Sequence, residues 1–150
     1  MAFKKLRVYF LVPLLLVTVL VIWGCGNGGS DGGPTTSIAF KDGASVSIVP
    51  SGNGKYVVQG DNLSGVAGVD LSVSYDSATM SSPTVTLGDL FSGSLFAANP
   101  ANPIRIAIVS STGFSGSGEI ATISFATDEG AGEISIEKLE MINSSGRRFQ

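Results

Sequence analysis

Hydrophobic and polar residues alternate with a period of two in several separate stretches of this chain. In the run 69–75, Val69, Leu71, Val73 and Tyr75 fall on one face, and Asp70, Ser72 and Ser74 on the other. The runs 44–49, 104–109, 121–125 and 133–136 repeat the scheme, with Ile104, Ile106 and Ile108 opposite Arg105, Ala107 and Val109. Strict alternation predicts β-strands with one face in a core and one in water, the habit of antiparallel sheets. Turn-forming clusters separate the runs at 52–54, 60–62, 99–100, 102–103, 116–118 and 130–132,. No stretch holds a helical stripe, so the reading is all-β: an antiparallel β-sandwich or jelly roll. Only 88–98 reads as irregular or briefly helical, with Leu90, Phe91, Leu95 and Phe96 to plug the core. Residues 139–142 predict a late strand, 143–146 a hairpin-like turn and 147–150 a short closing strand, whose Arg147 and Arg148 solubilise an edge,.

The first residues follow a different pattern. Lys4, Lys5 and Arg7 precede an apolar run from Val8 to Trp23, broken only by Pro13 and Thr18. That is a secretory signal in outline. Its end, Ile22-Trp23-Gly24-Cys25, resembles a bacterial lipobox, which implies cleavage before Cys25 and acylation of its sulfur. An uncleaved transmembrane anchor is the first alternative, but spanning a bilayer takes about 20 apolar residues, and Pro13 costs helix stability. A secreted protein with an accidental cysteine is the second, and would carry a free thiol into an oxidising compartment. After the only cysteine comes a glycine-rich stretch with almost nothing to bury, a flexible tether,. The division is therefore a signal segment at 1–24, a tether at 25–36 and a sandwich domain at 37–150. Gly26 stands where an aspartate would hold an enterobacterial lipoprotein in the inner membrane. This points to an exported protein, lipid-anchored at the outer membrane or cell surface.

Removing the leader takes 3 of the 9 basic residues and none of the 12 acids, leaving a formal charge of −6. Sparse, acidic charge argues against a nucleic-acid partner, because such binding rests on Lys and Arg neutralising phosphates. The chain has no histidine, which excludes imidazole base catalysis and His-ligated metal. The acids stand mostly as singletons in turns and on wet faces, and the cluster Asp128, Glu129 and Glu133 lacks the spacing of an EF-hand loop,. Neither enzyme activity, nor a metal site, nor a cofactor is expected.

The run 63–76, in which Val66-Ala67-Gly68 leads into an alternating strand ending in Tyr75-Asp76, resembles the third strand of a cohesin module. Residues 76–80 match the turn after it, with Ser77 in place of the usual proline. Residues 104–110 match the middle strand, and 116–125 are similar to the family's Gly-x-Gly-x-Leu-Ala-x-Ile-x-Phe segment. The resemblance implies a nine-stranded jelly roll that binds a dockerin through one sheet face. It places Asp70, Ser72, Arg105, Ala107 and Val109 on that face as partner-binding residues. Asp70 falls where dockerin-binding cohesins carry an acceptor, and Gly68 where many have Asn. The plainer reading of Asp70 is a solvated carboxylate paired across strands with Arg105. A cell-surface polysaccharide is the other candidate partner. Sandwich modules hold sugars on exposed rings, for which Tyr56, Phe114 and Phe149 are the available residues.

Overall fold

The computed structural model describes residues 36–130 and 132–150. The expected signal segment, Cys25 and nearly all of the expected tether lie outside the described residues. Seven strands follow one another: β1 (Thr36–Ala39), β2 (Ser45–Gly52), β3 (Lys55–Tyr75), β4 (Met80–Leu87), β5 (Leu95–Asn99), β6 (Ile104–Asp128) and β7 (Ile134–Asn143), with one 3-10 turn, Asp89–Phe91, before β5. β1 begins at Thr36, one residue earlier than the sequence division placed the domain. Thr36 already pairs with Ile48, and its hydroxyl donates to the Ile134 carbonyl at 3.2 Å.

β3 and β6 are 21 and 25 residues long, several times the usual strand of about 5–6 residues. Neither is straight. Residues 55–60 of β3 lie between β2 and the later part of β6, and β4 closes that sheet on the other side of β6. Residues 66–75 of β3 lie between β7 and the early part of β6, which in turn carries β5. Two antiparallel sheets result, β1-β2-β3-β6-β4 and β7-β3-β6-β5, with the two long strands common to both. Counting each long strand as two segments gives the nine of the expected jelly roll.

The bend has a local cause. Register breaks between Gly60 and Leu63 and again between Leu63 and Val66, where the partners are Gly116 and Phe114. Asn62 and Gly65 in β3, and Gly113 and Gly116 in β6, all have positive φ, from 51° to 112°. Bending frees amides from the ladder, and two serines of β6 take them up: Asn62 N donates to Ser117 Oγ at 3.0 Å and Gly65 N to Ser115 Oγ at 2.8 Å. Gly113 passes so near Gly65 that a Cβ on it would meet the Gly65 carbonyl oxygen at 3.1 Å. The clusters at 60–62 and 116–118 are therefore corners inside paired strands, correcting their reading as chain-reversing turns. Both strands change direction at the same place and stay bonded across it.

The inward faces of both sheets meet in one cluster that includes Val46, Ile48, Val58, Leu71, Val73, Ile106, Ile108 and Ile123. Tyr75 of one sheet lies against Phe125 of the other, ring centroids 4.9 Å apart. Phe91 is fully buried against Phe114 at 4.7 Å, as a plug should be. Leu95 is not a plug: it opens β5 in the outward phase and is 78% exposed. Residues 134–136 and the run 139–142 belong to one strand, with Glu137 extra where the register steps from Ile136 to Lys138. The turn at 143–146 forms, Gly146 N donating to the Asn143 carbonyl at 2.9 Å. The closing segment 147–150 makes a single bridge, Ile142 to Arg148, in place of the expected strand. It changes partners: Phe149 N still donates to β7 at Met141, but the Gln150 carbonyl already accepts from Lys41 N.

Candidate functional site

The outward face of β7-β3-β6-β5 is organised by register into rows that cross all four strands. One row is Asn99, Arg105, Ser72 and Lys138; the next is Ala97, Ala107, Asp70 and Glu140; the third is Leu95, Val109, Gly68 and Ile142. All five residues assigned to a partner face, Asp70, Ser72, Arg105, Ala107 and Val109, thus lie on one surface. Ser72 is half-buried and the other four are exposed.

The third row is apolar. Leu95, Val109 and Ile142 are three of the four large hydrophobic residues exposed among those described, and Val109 is 57% exposed. Gly68 makes the row continuous, because a Cβ there would fall 2.7 Å from Ile142 Cγ1. Ile142 occupies the space a side chain at Gly68 would need. Sequence reasoning missed Leu95 and Ile142. Ile142 was legible from phase, since Glu140 and Ile142 alternate with the buried Met141, but its apolar neighbours masked the period. Leu95 gave no such signal, because its strand is too short to show one.

Charge on the face is largely compensated internally. Lys138 Nζ reaches Asp70 at 3.0 Å and Glu140 at 3.5 Å, and Arg148 reaches the same Glu140 oxygen at 3.6 Å. The hydrogen bond that Lys138 donates to Asp70 leads, followed by the charges of Asp70 and Glu140, in pushing the Lys138 ammonium pKa up. This corrects the expected partner of Asp70. Arg105 stands opposite Ser72, one row away, whereas Lys138 leans diagonally from the outer strand. Among the described residues, Arg105 has no carboxylate within 4 Å. Exposed pairs of this kind contribute little to stability and are screened by salt, so their main effect is to set the pattern of charge on this face.

The rings considered for sugar stacking are not free platforms. Tyr56 is buried with its edge against Phe125, centroids 5.8 Å apart, and its hydroxyl donates to Asp128 Oδ2 at 2.7 Å. Burial first, and then the Asp128 carboxylate, push the Tyr56 phenol up to about 12. Phe114 and Phe149 are half-buried, Phe149 edge-on to Phe40 at 6.0 Å. Among the described residues no aromatic side chain is exposed. Nor, among them, do three or more His, Cys, Asp or Glu side chains gather as a metal site would need.

No protein-family model matches the sequence, and no curated protein does. Solved structures do match. A non-cellulosomal cohesin from the archaeon Archaeoglobus fulgidus superposes with a TM-score of 0.58 at 22% identity, over 64% of this chain and 71% of that one. The sixth cohesin of scaffoldin B from Acetivibrio cellulolyticus, solved with a Cel5 dockerin, gives 0.56 at 20% identity, over 78% and 83%. The OlpC cohesin of Clostridium thermocellum, also solved with a dockerin, gives 0.55 at 11% identity, over 80% and 88%. The domain has the cohesin fold, the nine-segment jelly roll expected from the sequence.

Proposed function

We propose that this cohesin-fold domain is a non-catalytic binding module that holds a dockerin-type protein partner on its β7-β3-β6-β5 face. The observation that carries the reading is the apolar row Leu95, Val109 and Ile142 beside a charged strip on an uncovered sheet. Exposed apolar residues gathered in one place, with polar residues around them, mark protein contact sites. The Acetivibrio and Clostridium cohesins are solved as complexes with dockerins, which supports a partner of the same kind here. Export and lipidation at Cys25 complete the proposal: the tether at 25–35 holds the module at the cell envelope, on the outer membrane or cell surface. Polysaccharide binding on this face has less support, because no exposed ring lies there to stack on a sugar.

The test uses the full chain, purified in mild detergent, as bait for the envelope and secreted proteins of its own cell, with and without EDTA. The expected result is calcium-dependent capture of a protein with duplicated Asp-rich loops, abolished by Val109→Arg or Ala107→Arg and retained in Thr86→Arg on β4. Capture of no such protein, with retention on a polysaccharide column that Val109→Arg abolishes, overturns it.

A further inference from the structure

Beyond the β7 edge of the partner face, where Arg148 reaches Glu140, the β1–β2 loop, the β3 corner and the tail after β7 line an open cleft of about 730 Å³. Lys41, Arg147 and Arg148 line it. These are three of the six basic residues outside the leader of an otherwise acidic protein. Among the described residues, neither Lys41 nor Arg147 has a carboxylate within 4 Å, and Arg148 has only the long contact to Glu140 at 3.6 Å. Backbone bonds fix the main chain that carries the cations: Lys41 N donates to the Gln150 carbonyl at 2.7 Å, and Asn143 N to the Arg147 carbonyl at 2.9 Å.

The neutral groups in the cleft are mainly donors as well. Asn143 spends its Oδ1 on the amides of Ser145 and Arg147, at 3.0 and 2.9 Å, so its Nδ2 is left without a protein partner among the described residues. Ser64 adds an exposed hydroxyl, and Phe149 a half-buried ring. Asp42 is the one carboxylate side chain, and its Oδ1 already accepts from Ala44 N.

We propose that this cleft binds an acidic glycan, with one carboxylate or sulfate seated between Lys41 and Arg147 and the neighbouring sugar hydroxyls on Asn143 and Ser64. Guanidinium groups suit planar, two-point recognition of such an anion. An open cleft of this size has room for a short saccharide. The net negative charge of the chain disfavours a polymer charged at every unit,, so a glycan carrying about one acid per disaccharide is the ligand of choice.

The experiment is calorimetric titration of the full chain in neutral detergent with hyaluronan tetrasaccharide, which carries one carboxylate per disaccharide. Its carboxyl-reduced analogue and inorganic phosphate are the comparison ligands. The expected result is a Kd below about 1 mM at low ionic strength, weakened about tenfold or more by Lys41→Ala with Arg147→Ala, and unchanged by Lys55→Ala. The affinity falls with added salt, and the carboxyl-reduced analogue does not bind. Lys41→Gln alone, which removes the charge but keeps most of the stem, gives a smaller loss in the same direction. No binding, equal binding of the neutral analogue, an effect of Lys55→Ala as large as that of the pair, or phosphate binding as tight as the tetrasaccharide each overturns the proposal. Lys41 and Arg147 lie outside the rows of the partner face, so their double variant should leave protein capture intact, which keeps success or failure here separate from that of the capture test.

Discussion

Ile142 lies over Gly68, filling the place where a side chain on the central strand β3 would stand. The contact joins two exposed apolar residues of β5 and β6 to one of β7 across a position that has no side chain of its own. Gly68→Ala forces Ile142 aside, because the new Cβ meets its Cγ1 at 2.7 Å and its Cδ1 at 3.0 Å, though the side chain is partly open to solvent and can turn away. Urea unfolding should show a loss of about 1–2 kcal/mol. Ile142→Ala in the same chain should restore most of it, because the obstruction is gone; an additive double mutant would refute the relationship.

Asp70 and Lys138 should be coupled and Asp70 and Arg105 should not. In double-mutant cycles to alanine, read by denaturant midpoint, the first pair gives a small coupling that shrinks with added salt. The second gives none. A cycle with the opposite ranking would mean that the Asp70 carboxylate turns toward β6 in solution.

Tyr56 carries the clearest dependence on pH. Its folded-state pKa is raised from 10.0 to about 12, so the protonated phenol is favoured by folding. That contribution is complete below pH 10, the unfolded value, and is lost as pH rises through about 12,. Stability should therefore decline across this window, and Tyr56→Phe should flatten that part of the curve. Ultraviolet titration of the folded protein should show one tyrosine ionising well above the ordinary range.

At the corner, Gly113→Ala meets both an unfavourable positive φ and the Gly65 carbonyl oxygen at 3.1 Å. A loss of about 2 kcal/mol or more is expected. Ser115→Ala and Ser117→Ala remove hydrogen bonds to amides that water can reach, so each should cost less than about 1 kcal/mol. Thermal midpoints of the three variants should fall in that order.

How far the fold could be read in advance follows from what alternation encodes. Val69, Leu71 and Val73 against Asp70 and Ser72 fix which face of a strand is wet, and the face assembled from them is the one found. Alternation says nothing about whether Gly60-Asp61-Asn62 reverses a strand or bends it, because both need the same residues with positive φ. The distinction lies in the partner strand: Ser115 and Ser117, some fifty residues away, supply the acceptors that let the bend stay paired. Lys138 escaped notice for a similar reason. Its approach to Asp70 depends on the register step at Glu137, a long-range property of the ladder. The closing segment failed as a strand because Gln150 finds Lys41, a competitor far away in sequence.

The two strands that turn the corner also decide how the domain answers a pull. A sandwich of independent sheets resists separation only through side-chain packing, which yields when the layers slide. Here the covalent backbones of β3 and β6 run from one layer into the other. A load on the β7-β3-β6-β5 face passes along peptide bonds to the layer containing β1. The weakest element under tension is then the four-residue ladder of β1 on β2, which can peel away and leave the sandwich closed.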